Sequence, residues 1–489
     1  MGNKAALLLL LLVVGYGVSV SMGYREEGEE EWGPEERRRE KYPEEGKASF
    51  LLQDSKRVVR TDAGEMRVVR SFGGRIVDRP MHIGFITMEP QSLFIPQYLD
   101  SSLIIFIRRG EAKIGHIYKD ELSERSLKDG DIYRIPAGSA FYIVNTEEGQ
   151  RLHIICSINP SESLGLGLFQ SFYLGGGSYP TSILAGFDPE TLTNAFNVTR
   201  KELRDIFSRQ QGGPIVFVGD SRAPRVWSKF LQLKEKDRLQ HLKRIVDYHQ
   251  EQEEQEEQEE DQTKWSWRKL LISVFGEENR RQGDRTGKAP DCYNIYGRSP
   301  DFKNRYGSSM AIDASDYSPL KHSGIGIYFV NLTAGSMLAP HLNPTATEYG
   351  IVLKGTGRIQ IVYPNGTSAM NAKVSEGDVF WVPRYFAFCQ IASRTGPFEF
   401  FGFTTSARKN RPQFLAGANS LLHVLQGPEL AASMGISEDR SRRFLDSQRE
   451  AVILPSASAA PPDTEYHKEE TLMPKMFKSF ENDMIMGFD

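Results

Sequence analysis

Three residues in the second half of the chain have side chains suited to binding a metal: His341, Asn343 and Glu348. His341 and Asn343 are two residues apart, so on a β-strand both side chains point to the same side. Imidazole and carboxylate are common ligands of divalent metals, and tight sites use three or four such ligands. With one imidazole and one carboxylate, this stretch predicts at most a weak metal site at His341 and Glu348.

The spacing of these residues resembles the first metal-binding motif of the cupin family of small double-stranded β-barrels. It reads Gly335-x5-His341-x-Asn343-x4-Glu348-x6-Gly355, and the family expects histidine where Asn343 stands. In that family the ligands lie on neighbouring strands and point into the barrel. The resemblance therefore implies a barrel that keeps only part of the usual ligand set.

The second motif of the family follows at 377–383, where the glycine-to-proline spacing is kept. Tyr385 replaces the final glycine and Phe388 replaces the histidine, so a ring without a lone pair stands at a ligand position. Cys389 could offer a thiol, but it is one residue out of register with this position, and such a step turns a strand side chain to the other face. We expect no cofactor, with copper or another divalent metal at His341 as the alternative.

The chain repeats itself, which is the clearest sign of its organisation. Three segments of the first half recur in the same order in the second half. The segments are 110–118, 130–136 and 183–186, and their counterparts are 355–363, 377–383 and 414–417. The repeats indicate an internal duplication.

The first copy of the repeat offers an independent test for metal ligands. In its first-motif region, Gln97, Leu99 and Leu103 stand near the positions of the expected His, His and Glu. Its second motif keeps the glycine and proline residues that set the backbone turn, but Phe141 stands in place of histidine. The sequence therefore predicts a barrel without a metal site in the first half.

Short alternating apolar segments bounded by Gly, Pro and Asn are typical of a sandwich or barrel. After them, each half carries helical signals, including a capping box at Thr199–Glu202. The segments are Leu103–Ile107, Leu152–Ile158, Gly326–Leu332 and Phe398–Thr404 for strands, and 188–190, 199–207, 420–425 and 438–448 for helices. We predict a mainly β protein with helical arms. It has two tandem cupin double-stranded β-barrels of the jelly-roll type, each followed by a helical extension.

Composition and charge divide the 489 residues further. An apolar run at 5–14 after Lys4 predicts a signal peptide, and the Glu/Gln-rich run at 250–262 predicts a solvated linker. The predicted segments are 1–21 signal peptide, 22–47 acidic disordered arm, 48–245 first barrel and arm, 246–290 linker, 291–455 second barrel and arm, and 456–489 flexible tail.

A net charge of −4 gives no general attraction to nucleic acid, and no segment after the predicted signal peptide has the length of a membrane span.

Taken together, these features are similar to those of vicilin-type 7S seed storage globulins. The phrases at 209–216 and 401–417 resemble the vicilin-like branch, and the resemblance covers roughly 48–455. It implies a non-enzymatic nutrient reservoir whose nitrogen is mobilised on germination. It also implies a seed protein-storage vacuole, a vacuolar sorting receptor during transit, and a homotrimer in which the helical arms of one subunit pack against the next.

Two other functions remain open from the residues alone. A barrel mouth lined by Tyr349, Arg384 and Tyr385 is a candidate pocket for a sugar or a small anion. A metal-binding cupin with a weak site at His341 is the second alternative. A bicupin enzyme would need an open coordination position in addition to enough protein ligands, and neither barrel offers that set.

Three Asn-x-Thr sequons accompany the predicted secretory route, at Asn197, Asn331 and Asn365. Asn365 precedes Gly366, and the pair is typical of a hairpin turn. Asn365 is therefore the favoured glycan acceptor. Asn331 follows a strand-like run, and Asn197 lies between two predicted helices.

Overall fold

Strands dominate the computed structural model, which describes residues 50–52, 55–71, 80–118, 121–161, 167–218, 292–409 and 411–462. The predicted signal peptide, acidic arm and linker lie outside the described residues, as does the tail beyond 462. The boundaries of the predicted segments therefore stay predictions.

The first half folds into two antiparallel sheets that form a jelly-roll barrel. Its strands are β1 Ser55–Thr61, β2 Gly64–Val69, β3 His82–Met88, β4 Ser92–Leu99, β5 Leu103–Arg109, β6 Ala112–Tyr118, β7 Glu121–Leu127, β8 Asp131–Ile135, β9 Phe141–Asn145, β10 Leu152–Ile158, β11 Ser171–Tyr173 and β12 Ile215–Phe217. One sheet has the order β1-β2-β3-β10-β5-β8, and the other has the order β11-β4-β9-β6-β7 with β12 also paired to β4. Ile105, Ile114 and Ile143 belong to the apolar core of this barrel.

The second half repeats this arrangement. Its strands are β13 Tyr293–Asn294, β14 Phe302–Asn304, β15 Gly307–Ile312, β16 Gly326–Leu332, β17 Ser336–Leu342, β18 Glu348–Lys354, β19 Thr356–Val362, β20 Ser368–Ser375, β21 Val379–Val382, β22 Ala387–Ala392, β23 Phe398–Thr404, β24 Gln413–Phe414 and β25 Ile453–Pro455. The sheet orders are β14-β15-β16-β23-β18-β21 and β20-β19-β22-β17-β24, with β25 also paired to β17. The two tandem jelly-roll barrels expected from the duplicated motifs are confirmed.

The repeated Gly-Asp pair builds the same corner in both barrels. Gly130 and Gly377 have φ of 86° and 89°, a backbone conformation that glycine adopts without steric cost. Asp131 and Asp378 each accept a hydrogen bond from the backbone N–H three residues earlier, at 2.8 and 2.7 Å. These local demands explain why the pair recurs in the sequence.

Helices follow each barrel, as the capping residues predict. They are α1 Pro189–Phe196 and α2 Arg200–Arg209 in the first half, and α4 Leu421–Val424, α5 Pro428–Ser433 and α6 Glu438–Asp446 in the second. The short helix α3 Leu320–Ser323 lies within the second barrel, between β15 and β16. Asp188 caps α1 and Thr199 caps α2, each through its side-chain oxygen. Helices α3 and α5 are additions that the sequence analysis does not predict. In the described part of the chain, no helix combines the length and the apolar character that crossing a membrane requires.

The two barrels exchange short edge segments. Strand β13, from the second half, pairs with β8 of the first barrel, where Tyr293 is opposite Ile132. In return, Leu51 bridges to Phe380 on β21 of the second barrel, and the N–H of Leu52 donates to a β21 carbonyl at 2.8 Å. Each barrel is thus completed by a segment of the other half.

An apolar face also joins the barrels. Phe106 on β5 stacks on Phe401 on β23, with ring centroids 4.1 Å apart and planes 9° from parallel. Both rings are fully buried. Beside them, Arg108 donates to the carbonyl of Leu353 at 3.3 Å and lies 3.8 Å from the carboxylate of Glu399. One apolar cluster therefore spans the second barrel and the contact between the halves, and the interior of the first barrel is a separate cluster.

Candidate functional site

His341 lies on β17 between two aromatic rings. Its ring centroid is 4.1 Å from that of Phe388 on β22 and 5.2 Å from that of Phe414 on β24. Its Nδ1 lies 2.7 Å from the carbonyl oxygen of Ala339, and a carbonyl only accepts, so Nδ1 carries the proton and Nε2 is left as an acceptor. Burial lowers the pKa of His341 to about 4. The imidazole is therefore neutral near pH 7.

Glu348 begins β18 and is held by Asn343. The Asn343 side-chain N–H donates to Glu348 Oε1 at 2.7 Å. Asn343 Oδ1 accepts from the backbone N–H groups of Thr345 and Ala346, each at 3.0 Å. Burial raises the pKa of Glu348 to about 7, although the Asn343 hydrogen bond opposes this rise. Asn343 is thus a clamp for the carboxyl group.

This arrangement differs from the expected one, in which Asn343 shares a strand face with His341. Strand β17 ends at Leu342, so Asn343 is the first residue of the following loop. Its oxygen is engaged with that loop and its N–H group faces the acid. An N–H group has no lone pair to offer, so Asn343 does not act as a metal ligand in this geometry.

His341 and Glu348 line one cavity of about 650 Å³ in the second barrel. Tyr328, Gln390 and Thr404 are further buried polar residues of its wall. The Tyr328 hydroxyl and Gln390 Oε1 have no hydrogen-bond partner among the described residues. The cavity is therefore a chamber within an apolar barrel whose wall includes several buried polar side chains.

The donor set of this chamber does not fit a tightly held metal. Across the described ranges, no group of three or more His, Cys, Asp and Glu side chains is placed to bind one ion. His341 and Glu348 alone fall short of the three or four ligands of a tight site. The ring of Phe388 occupies the position at which the cupin motif would supply another imidazole.

Cys389 lies on the other side of β22 from this chamber. It is buried in a small cluster with Ile391 and Ala460, and its thiol donates to Gln360 Oε1 at 3.6 Å. Burial raises its pKa to about 11. The one-residue offset thus turns Cys389 away from His341, as strand alternation requires.

The three predicted pocket residues do not form one pocket in the described part of the chain. Tyr349 is fully buried, and its hydroxyl lies 3.0 Å from the Ser71 hydroxyl of the first half. Arg384 stacks over the ring of Tyr385, 4.9 Å from its centroid. The backbone N–H of Tyr385 donates to the carbonyl of Asn343 at 2.9 Å. Arg384 and Tyr385 therefore lie beside the 343–347 loop, whereas Tyr349 contributes to the contact between barrels.

Tyr385 keeps the backbone of the glycine that it replaces. Its φ is 74°, and that of Gly138, the equivalent residue of the first barrel, is 76°. The left-handed region costs a residue with a side chain about 1–2 kcal/mol. The turn therefore has the same backbone conformation in both barrels, although Tyr385 replaces the glycine of the motif.

The first barrel has an equivalent chamber with different chemistry. Gln97 pairs across from Phe141, as His341 pairs across from Phe388. Gln97, Leu99, Leu103 and Phe141 line a cavity of about 260 Å³. Imidazole and carboxylate are replaced by an amide and two leucines at the positions that the motif comparison predicts.

The three sequons lie in different surroundings. Asn365 is exposed in the β19–β20 turn, and its Oδ1 accepts from the N–H and hydroxyl of Thr367 at 3.0 and 2.7 Å. Asn197 is exposed in the left-handed position that ends α1. Asn331 is half-buried on β16, between β15 and β23. Glycosylation of any of them stays a prediction.

Sequence reasoning missed Gln390, Tyr328 and Thr404. Gln390 stands two residues after Phe388, and this spacing places both side chains on one face of β22. That signal could have identified it. Tyr328 and Thr404 reach the chamber from β16 and β23, and the motif does not include those strands.

Comparison with known proteins relates the chain to cupins and to vicilin-like seed storage proteins. The family model described as cupin matches residues 52–204 and 293–442. A vicilin-like seed storage protein of Arabidopsis thaliana is 57% identical over 420 residues, which are 84% of this chain and 81% of that protein. A further vicilin-like seed storage protein of Arabidopsis thaliana is 30% identical over 437 residues, 85% of this chain and 76% of that protein.

A solved structure shows the same fold at lower identity. The crystal structure of vicilin from Corylus avellana, hazelnut, is 22% identical and covers 84% of this chain and 99% of that chain, with a TM-score of 0.65. At this identity the structural likeness bears on the fold alone.

Proposed function

Because the chain belongs to the vicilin-like seed storage proteins of the cupin family, we propose that it is a non-enzymatic nutrient reservoir of seed. The observation that carries the proposal is the loss of ligands in both barrels. Phe141 and Phe388 stand at histidine positions, and Asn343 turns its N–H group to Glu348. The chain keeps both β-barrels but lacks the histidine ligands with which the cupin motifs bind a metal. We therefore infer that the protein is a reserve of amino acids and nitrogen.

Storage also needs dense packing, and we propose a homotrimer formed by the helical arms. Large apolar side chains are exposed on both arms, which is typical of surfaces that bind other proteins. They are Phe187, Phe196 and Ile206 in the first half, and Val424, Leu425 and Phe444 in the second. A contact between the first arm of one subunit and the second arm of the next is head-to-tail, and such contacts close into a ring of three when each subunit is rotated by a third of a turn from the last.

The proposed location is the protein-storage vacuole of seed, reached through the secretory pathway. The predicted signal peptide at 1–21 and the three sequons support this route. A vacuolar sorting receptor would then bind the protein in transit. Fractionation of maturing seed tests the location directly, with the protein expected in protein bodies.

The reservoir function is tested by following the protein through the life of the seed. We expect its amount per seed to rise steeply during maturation and to fall to a small fraction within the days after germination begins. Quantitative immunoblotting against a constant housekeeping protein provides the measurement. Constant, low abundance in all tissues would contradict the proposal.

A further inference from the structure

The cavity of the first barrel has an apolar wall with a single buried polar side chain. Val59, Met66, Ile86 and Phe94 line it together with Leu99, Leu103 and Phe141, and each of these residues is less than 6% exposed. Gln97 projects among them and is 1% exposed. The cavity thus combines apolar surface with one carboxamide.

Neither polar atom of that carboxamide has a hydrogen-bond partner within the described ranges. Burying an amide without partners is costly, and native proteins usually satisfy such groups. Asn145, fully buried in the same barrel, shows the usual case. Its N–H group donates to the carbonyls of Met88, Glu89 and Gln150 at 2.9–3.2 Å, and its oxygen accepts from an N–H. Gln97 is therefore the exception in a barrel that otherwise satisfies its buried amides.

We propose that the first barrel binds a small, mostly apolar molecule that carries a carboxamide or a protonated carboxyl group. Both groups present one donor and one acceptor side by side. Gln97 presents the complementary pair, Nε2 and Oε1, so two parallel hydrogen bonds satisfy the side chain and the ligand together. The apolar part of the ligand contacts the leucine, isoleucine and phenylalanine side chains. This site is independent of the storage function.

The size of the cavity limits the ligand to about that of a substituted benzene. An apolar cavity of ~150 Å³ accommodates benzene, and pockets for drug-sized ligands begin near ~300 Å³. A volume of about 260 Å³ lies between these values. Benzamide, a phenyl ring with one carboxamide, is therefore a suitable probe.

The least buried polar residues of the cavity wall lie on β1 and on or beside β11. Lys56 is exposed there, and Gln170, Ser171 and Tyr173 are half-buried. Gln97, at 1% exposed, is buried more deeply than any of them. The polar group of the ligand is thus expected to lie deepest, against Gln97.

The second barrel provides the contrast that makes the proposal specific. At the position equivalent to Gln97 it has His341, whose Nδ1 is bonded to a carbonyl and whose ring lies between two phenylalanines. Its cavity is larger and has several polar groups. Gln390 is the buried glutamine of that cavity and serves as the matched control.

The test is titration of the full-length protein with benzamide, followed by calorimetry and by the melting temperature. We expect saturable binding of one benzamide per chain and a rise in melting temperature by mass action. Gln97→Met should weaken benzamide binding at least tenfold, because it removes both hydrogen bonds while keeping the shape. Gln390→Met should leave benzamide affinity unchanged.

Cumene, an apolar molecule of similar shape, separates loss of recognition from loss of the cavity. It should bind to Gln97→Met at least as tightly as to the wild type, and in the wild type benzamide should displace it. Benzoic acid should bind more tightly below its own pKa than above it. The proposal is overturned if benzamide does not bind saturably, if Gln97→Met binds it as well as the wild type, or if only Gln390→Met loses it. None of these results bears on seed abundance, which tests the storage function.

Discussion

His341 and Phe388 lie directly opposite each other on β17 and β22, with ring centroids 4.1 Å apart. The cupin motif expects two histidines at these positions, turned toward one metal. Here an aromatic contact replaces coordination, and such contacts contribute about 0.5–1.5 kcal/mol beyond the area that they bury. A position that bound an ion in the motif now contributes to the packing of the barrel.

Restoring the motif should therefore restore a metal site. The double variant Asn343→His, Phe388→His would combine three imidazoles with Glu348, which is enough for a divalent ion. We expect elemental analysis of the purified variant, loaded with zinc or copper, to approach one ion per chain.

The wild-type protein is the control for that experiment. It should retain far less than one ion per chain after the same loading and dialysis. Near-stoichiometric metal in the wild type would contradict the inference from its donor set, and His341→Ala should then release the ion.

Glu348 should make the protein less stable as pH rises. Burial raises its folded-state pKa from 4.5 to about 7, so the unfolded state loses this proton first. The resulting loss of unfolding free energy is absent below pH 4.5, develops between pH 4.5 and 7, and is complete above pH 7. Its size is on the order of 3 kcal/mol. Glu348→Gln keeps the shape and removes the titration.

The difference in unfolding free energy between Glu348→Gln and the wild type should therefore grow in favour of the variant across this window. Urea unfolding at several pH values provides the measurement. Histidines act in the opposite direction, because burial lowers the pKa of His82, His116 and His341 from 6.5 to about 4. Taking the difference cancels their contribution. A constant difference from pH 4 to 8 would show that Glu348 is not held neutral by burial.

Gln97→Met should stabilise the ligand-free protein. It removes an unpaired buried amide, whose cost in mutational data is about 1–3 kcal/mol, and puts an apolar side chain of similar shape in its place. The gain is measured by denaturant unfolding without ligand. Asn145→Met is the opposing control, since Asn145 is fully bonded and its loss should destabilise the barrel. A Gln97→Met variant less stable than the wild type would mean that the amide is satisfied.

Phe106→Ala should weaken the contact between the barrels. Truncating a fully buried phenylalanine costs about 3–5 kcal/mol, and Phe106 loses its stack on Phe401. We expect a lower denaturant midpoint and a loss of cooperativity between the halves. Phe187→Ala, on an exposed ring, should have little effect on the stability of one subunit.

Phe444→Asp should prevent assembly without unfolding the subunit. Its side chain is 61% exposed on α6, so a charge there is solvated in the monomer but buried in the proposed head-to-tail contact. Light scattering after size exclusion should show trimer for the wild type and monomer for the variant. Circular dichroism should be unchanged. A trimeric variant would place the contact elsewhere.

Local rules predicted much of this fold. The Gly-Asp corners, the helix caps at Asp188 and Thr199, and the Asn365-Gly366 hairpin follow from backbone requirements of single residues, and all occur as expected. The duplication then implied that the halves share one topology. Because such features depend on a few neighbouring residues, a single sequence is enough to predict them.

Features that depend on distant segments could not be predicted in this way. Glu348 points into the barrel, so its neighbour Tyr349 faces outward by strand alternation, yet only the packing of two barrels turns that outward face into a buried contact with Ser71. The missing partners of Gln97 likewise depend on every strand around it. The loop position of Asn343 was missed because strand ends are poorly marked in sequence.

The exchanged edges have the geometry of a domain-swapped dimer whose two copies are joined into one chain. Strand β13 and residues 50–52 each complete the barrel of the other half. A single barrel produced alone would present an open β-edge beside the uncovered face of Phe106 or Phe401, a combination that favours aggregation. A single barrel is therefore not expected to fold as a stable unit by itself, so any further duplication or recombination of this architecture must include both barrels.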